Sequence, residues 1–76
     1  MALKRGALIF DEEKDRYNIR FDIDKYYTGL HCGECFDVFV GGKWKPTRIE
    51  FGNDWYLAGV KTYGSNLDGL MVKINV

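Results

Sequence analysis

The chain has 76 residues, and its eleven basic and eleven acidic side chains cancel to a formal net charge of zero. That length allows one domain with one small core, burying only about 60% of the surface of the unfolded chain, so function is expected on a face or an edge. A hydrophobic fraction of 46%, with 16% aromatic, excludes a disordered chain, and the charges also cancel locally, which argues against strong non-specific attraction to nucleic acid or an anionic membrane.

Near the start, Lys4 and Arg5 precede Ala7-Leu8-Ile9-Phe10. This apolar run is too short for a signal peptide, and no segment approaches the roughly 20 apolar residues of a membrane-spanning helix. A cytoplasmic location with reduced cysteines is the default expectation. Leu8-Ile9-Phe10 reads as a short strand ending at the charged stretch Asp11 to Asp15. Tyr17, Ile19, Phe21 and Ile23 then alternate with Asn18, Arg20, Asp22 and Asp24, the pattern of a half-buried strand. The two strands should pair as a hairpin through the acidic loop.

Residues 25–33 break the alternation, punctuated by Gly29 and Gly33. From Glu34 it resumes, with Phe36, Val38 and Val40 on one face and Cys35, Asp37 and Phe39 on the other. Gly41-Gly42 is a two-residue hairpin signal, because the favoured turn needs positive φ at both positions. In the following strand, Lys43 to Phe51, Trp44 is even-numbered whereas Thr47, Ile49 and Phe51 are odd, with Pro46 between them. Proline donates nothing to a ladder, so a bulge or an edge position is expected there. After the turn Gly52-Asn53-Asp54, residues Trp55 to Val60 read as a strand and Thr62 to Gly69 as a loop. Leu70, Val72, Ile74 and Val76 form a closing strand. Helical periodicity does not last beyond one turn. The expectation for residues 1–76 is a single all-β domain, a small antiparallel barrel or rolled sheet of about five to six strands, SH3-like.

The one histidine and both cysteines fall in His31-Cys32-Gly33-Glu34-Cys35. Cys-x-x-Cys is half of a zinc knuckle, and a tetrahedral structural site needs four ligands. His31, Cys32 and Cys35 therefore bind metal only if a second copy completes the set across a dimer. Thiol redox chemistry asks for a helix N-terminus beside the pair, whereas Cys35 opens a strand. The plainer reading is two small apolar side chains flanking a turn. The carboxylates Asp11, Glu12, Glu13 and Asp15 lack the spacing of a calcium loop and read as a solvated hairpin tip. No catalytic residue and no cofactor is expected.

Lys43, Trp44, Lys45 and Arg48 place three cations around a tryptophan. The combination suits an acidic peptide or stacking on single-stranded nucleic acid; it also suits simple shielding of the ring by aliphatic stems, with Glu50 pairing one cation. Tyr26 and Tyr27 with Trp55, Tyr56 and Tyr63 form a second aromatic set, either a peptide-docking rim or an ordinary lid over the core.

Two resemblances attach to these residues. Gly33-Glu34-Cys35-Phe36-Asp37-Val38, followed by Asp54-Trp55-Tyr56-Leu57-Ala58-Gly59, resembles the Gly-Glu turn and Asp-Trp-Trp strand of SH3 domains, and Gly69-Leu70-Met71-Val72 matches their last strand. The N-terminal Ala-Leu-Tyr-Asp-Tyr signature and the Pro-x-x-Tyr of that family are missing, so the resemblance implies an SH3-like barrel rather than proline-peptide binding. Nearly all of residues 8–75 is similar to a domain-of-unknown-function family of short proteins from Gram-positive bacteria, their phages and conjugative elements. Tyr27-Thr28-Gly29-Leu30-His31-Cys32-Gly33-Glu34, Gly42 to Glu50 and Asp54-Trp55-Tyr56-Leu57 carry that similarity. It implies origin and size, and no activity.

The reading that follows is a non-enzymatic module, monomer or homodimer, that binds a partner protein through Lys43, Trp44, Lys45, Arg48, Trp55 and Tyr56. The alternatives are a zinc- or thiol-dependent protein using Cys32 and Cys35, and weak binding of single-stranded nucleic acid.

Overall fold

A computed structural model describes residues 2–61 and 67–76. Seven strands are present among the described residues: β1 (Leu3–Asp11), β2 (Arg16–Asp22), β3 (Lys25–Tyr26), β4 (Cys35–Val40), β5 (Lys43–Phe51), β6 (Trp55–Leu57) and β7 (Met71–Asn75). They form one antiparallel sheet in the order β3-β2-β1-β7-β4-β5-β6. No α-helix occurs among the described residues, and no helix is long and apolar enough to cross a membrane. The all-β expectation holds, with more strands than the sequence suggested. The ladder has two ends, β3 and β6, and does not close into a ring.

The sheet is rolled instead. Its concave face buries Leu8, Tyr17, Ile19, Phe36, Val38, Ile49, Leu57, Val72 and Ile74, with Leu30 and Leu67 added from loops. Tyr17 on β2 and Trp55 on β6, far apart in strand order, meet edge to face at 6.2 Å between ring centroids. The segment 27–34 fastens the roll. At one end the Tyr27 and Leu30 amides donate to the Ile19 and Tyr17 carbonyls at 2.8 and 2.9 Å, and at the other the Gly33 amide donates to the Ile49 carbonyl at 2.7 Å. Asn18 points away from the core residues beside it, yet is buried beneath this segment, where its Oδ1 accepts the Gly29 and Ile19 amides. A buried amide side chain is retained only when it is bonded in this way.

The β1–β2 hairpin forms as expected, with Asp11 opposite Arg16. Gly41 and Gly42 both take positive φ, 61° and 79°, closing the β4–β5 hairpin with Val40 opposite Lys43. Three expectations are corrected. Strand β1 starts at Leu3, not Leu8, because its N-terminal half pairs with β7. The β4–β5 register runs without a shift from Cys35↔Arg48 to Val40↔Lys43, so there is no bulge at Pro46; the edge position is what occurs. Strand β6 stops at Leu57, where the Val60 amide turns back to the Leu57 carbonyl. Of the loop predicted over Thr62 to Gly69, residues 62–66 lie outside the described residues.

Gly6 is a position the sequence reading passed over. It sits on β1 where β2 crosses tightly, and a Cβ there would stand 2.6 Å from both the Arg20 carbonyl oxygen and Ile19 Cγ2. The roll is tight at this point because the residue has no side chain.

Candidate protein-interaction face

Regular alternation gives the sheet a second, convex-side surface whose composition follows from pairing. Residues paired across antiparallel strands project to the same face. Ala7 pairs with Met71, and Phe39 with Trp44; Lys73 pairs with both Arg5 and Asp37, and Asp37 with Pro46; Leu3 pairs with Asn75, and Cys35 with Arg48. Continuing the β4–β7 register by one step brings Met71 beside Phe39. The outer face of β1, β7, β4 and β5 is thus three cross-strand rows: Ala7-Met71-Phe39-Trp44, then Arg5-Lys73-Asp37-Pro46, then Leu3-Asn75-Cys35-Arg48.

The first row is apolar and open. Met71 and Phe39 are 47% and 40% exposed, and Trp44 is half-buried. The Phe39 and Trp44 rings lie 5.1 Å apart, tilted by 59°. Lys73 Nζ sits 4.1 Å from the Trp44 ring centroid, an attraction worth about 0.5–1 kcal/mol at an exposed site. The other two rows line a cleft of about 440 Å³, walled by Leu3, Cys35, Pro46, Arg48, Lys73 and Asn75. Arg48 donates from Nε to Glu50 at 2.8 Å, and that bond raises its pKa further above the ordinary value.

The edge of β5 next to this face is closed to backbone pairing at its centre. Residues flanking a two-residue turn exchange hydrogen bonds, so by alternation Lys45 and Thr47 bond to β4 while Trp44, Pro46 and Arg48 turn their backbones outward. The Arg48 carbonyl duly accepts the Ala58 amide at 3.0 Å. Strand β6 pairs only with Ile49 to Phe51. Pro46 therefore occupies the stretch beyond β6 and presents no N–H there.

The structure divides the six residues singled out from sequence. Trp44 and Arg48 share the outer face, and Tyr56, opposite Glu50, lies at its margin. Lys43 and Lys45 alternate to the other side, where Lys45 Nζ reaches the Gly59 carbonyl at 3.4 Å. Trp55 belongs to the concave side, packed against Tyr17 and against Phe51 at 5.0 Å. The reading that put both tryptophans on one surface is corrected: the regular parity of β5 sends Trp44 outward, while Trp55 closes the mouth of the core. The face's other members, Phe39, Met71, Lys73, Asp37 and Arg5, were missed. Their alternation was visible in sequence, but the insertion of β7 between β1 and β4 was not.

Tyr26 and Tyr27 line a separate cleft of about 530 Å³ with Lys4, Phe21, Lys25 and Val76. Trp55 and Tyr56 stand elsewhere, and Tyr63 lies outside the described residues. The Tyr27 hydroxyl donates to the Glu34 carboxylate, whose other oxygen accepts the His31 amide at 3.0 Å. The bond to Glu34, then burial, raises the Tyr27 pKa.

His31, Cys32 and Cys35 are all exposed around the turn before β4. His31 Nδ1 faces Arg16 Nη1 at 3.1 Å, and Cys35 Sγ approaches the Gly33 carbonyl at 3.6 Å. Among the described residues no three His, Cys, Asp or Glu side chains gather as a metal-ligand set.

Residues 6–74 match the family model DUF5348, a domain of unknown function. The chain belongs to this family. It is also similar to a Ruminococcus gnavus protein of known crystal structure, at 55% sequence identity and a TM-score of 0.84, over 93% of this chain and 100% of that one. No curated protein matches the chain. The DUF5348 match runs from within β1 to within β7, so most of the sheet, with Met71, Phe39, Trp44, Lys73 and Asp37 of the outer face, lies within the family's bounds.

Proposed function

We propose that this DUF5348 chain is a non-enzymatic, cytoplasmic interaction module, an SH3-like roll whose outer sheet face docks against protein. One observation carries the reading. The solvated side of an antiparallel sheet ordinarily alternates to polar residues, whereas here Met71, Phe39 and Trp44 form a contiguous apolar row beside a cleft edged by charge. Contiguous exposed apolar surface rimmed by polar groups marks interaction sites. Aromatic and methionine side chains are the types enriched at interface centres, with arginine close by.

The test is capture of proteins from a lysate of the encoding organism, with wild-type chain, Trp44→Ala, Phe39→Ser and Lys25→Ser as baits. The reading expects a bound protein that is lost with the first two substitutions and kept with the third. Trp44→Ala should lower stability by only about 1 kcal/mol, the scale of an exposed aromatic pair, so that the loss reflects the face and not unfolding. Equal retention by all four baits overturns the proposal.

A further inference from the structure

We infer that the protein surface this face receives is a second copy of the same chain, placed by a two-fold axis that lies in the face and runs along the β7–β4 boundary. The inference rests on the reading above and names its partner. Two sheets pack face to face about 10 Å apart with strand directions within roughly 30°. A two-fold axis along the strands keeps each cross-strand row opposite itself and reverses its order. Row by row, β1 then faces β5 of the second copy, and β7 faces β4.

The composition of the rows fits that operation. Lys73 and Asp37 are neighbours on β7 and β4, so the axis sets each against the other in the second copy, giving two equivalent ion pairs. Asp37 is half-buried, yet its side-chain carboxylate makes no hydrogen bond or ion pair with any described residue, and the Lys73 ammonium is turned to the Trp44 ring rather than to it. The single chain leaves this carboxylate unmatched. In the apolar row the same operation sets Met71 against Phe39, and the small Ala7 against the large Trp44, a pairing of bump with hollow. The face is nearly neutral: Arg5 and Lys73 stand with Asp37, while Arg48 is already matched by Glu50. Such balance suits a self-complementary isologous contact better than a strongly acidic or basic partner. Four strands at about 4.8 Å spacing make a patch at the low end of specific interfaces, so the dimer should be weak and concentration-dependent.

Sedimentation equilibrium tests this. Wild-type chain should shift from its 8.8 kDa monomer mass towards twice that value as concentration rises. Asp37→Lys alone and Lys73→Asp alone each set like charges opposite one another twice per dimer, and each should raise the dissociation constant at least about tenfold. An equimolar mixture of those two variants should dimerise again, because each supplies the charge the other lacks. No effect within one chain produces that rescue. Thermal melts check that both variants fold; if either does not, Met71→Glu, at an exposed side chain, should give the same loss. The inference is overturned if the wild type stays monomeric at all concentrations, if the single variants dimerise as tightly as the wild type, or if the mixture stays monomeric. A monomeric wild type that still captures another protein through Phe39 and Trp44 removes the self-association and leaves the proposed function standing. Neither dimer nor capture removes both, and an oligonucleotide held by the same face replaces both with nucleic-acid binding.

Discussion

Strand β5 has two sides, and they face different tasks. Its odd positions Thr47 and Ile49 are buried against Phe36, Val38 and Leu57, while its even positions Trp44, Pro46 and Arg48 hold the outside. The two tryptophans express the same contrast. Trp55 is tied to the core through Tyr17, whereas Trp44 is touched by Phe39 and Lys73 on an open face. A 76-residue domain has little surface to spare for burial. The difference teaches that here stability is concentrated on one side of the sheet, which leaves the side chains of the other side available for recognition.

The comparison breaks if inner-face truncations cost no more than outer-face ones. Ile49→Ala, at a fully buried position, should cost roughly 2–5 kcal/mol in denaturant unfolding, several times the effect expected for Trp44→Ala. A smaller test concerns the tightness of the roll. Gly6→Ala drives a methyl group into the Arg20 carbonyl and Ile19, and overpacking of this kind should cost roughly 1–3 kcal/mol. An unchanged melting temperature would show that β1 and β2 separate easily. The subtlest test uses pH. Burial, with the charges of Asp68 and Asp54, pushes the Tyr17 hydroxyl up to about 12 from its ordinary value near 10. The folded state thus holds that proton more tightly than the unfolded chain. Its contribution is complete below pH 10 and is lost as pH rises towards 12. Alkaline melts should fall through that window, and Tyr17→Phe should flatten the fall.

Local features of the fold were legible. The glycine pair at 41–42 announced its hairpin, and alternation sorted Phe36 and Val38 from Cys35, Asp37 and Phe39 because the period of a strand is a local property. Long-range order was not. Nothing near Met71 to Asn75 says that this last strand lies at the centre of the sheet, between β1 and β4, since antiparallel pairing between distant segments leaves no local mark. The same gap explains the candidate site. Trp44 and Arg48 are visible as a cluster in the sequence, but Lys73 reaches the Trp44 ring only through the central strand. Asn18 was read as an outward polar residue, and its burial depends on a segment eleven residues away in sequence. Trp55 was misplaced because an amphipathic aromatic beside a turn reads alike on either side of a sheet.

Pro46 has a consequence for how the chain associates. An exposed strand edge with free amides recruits further strands, and growth of that kind has no natural stopping point. With no amide at its centre and Lys43 and Lys45 in the same strand, the open stretch of β5 is a poor template for such growth. Contact through the flat of the sheet is different, since a two-fold pair uses up the surface that made it. On the two-fold pairing proposed above, assembly ends at two copies, and the protein should stay free of fibrils at concentrations where its faces are fully engaged.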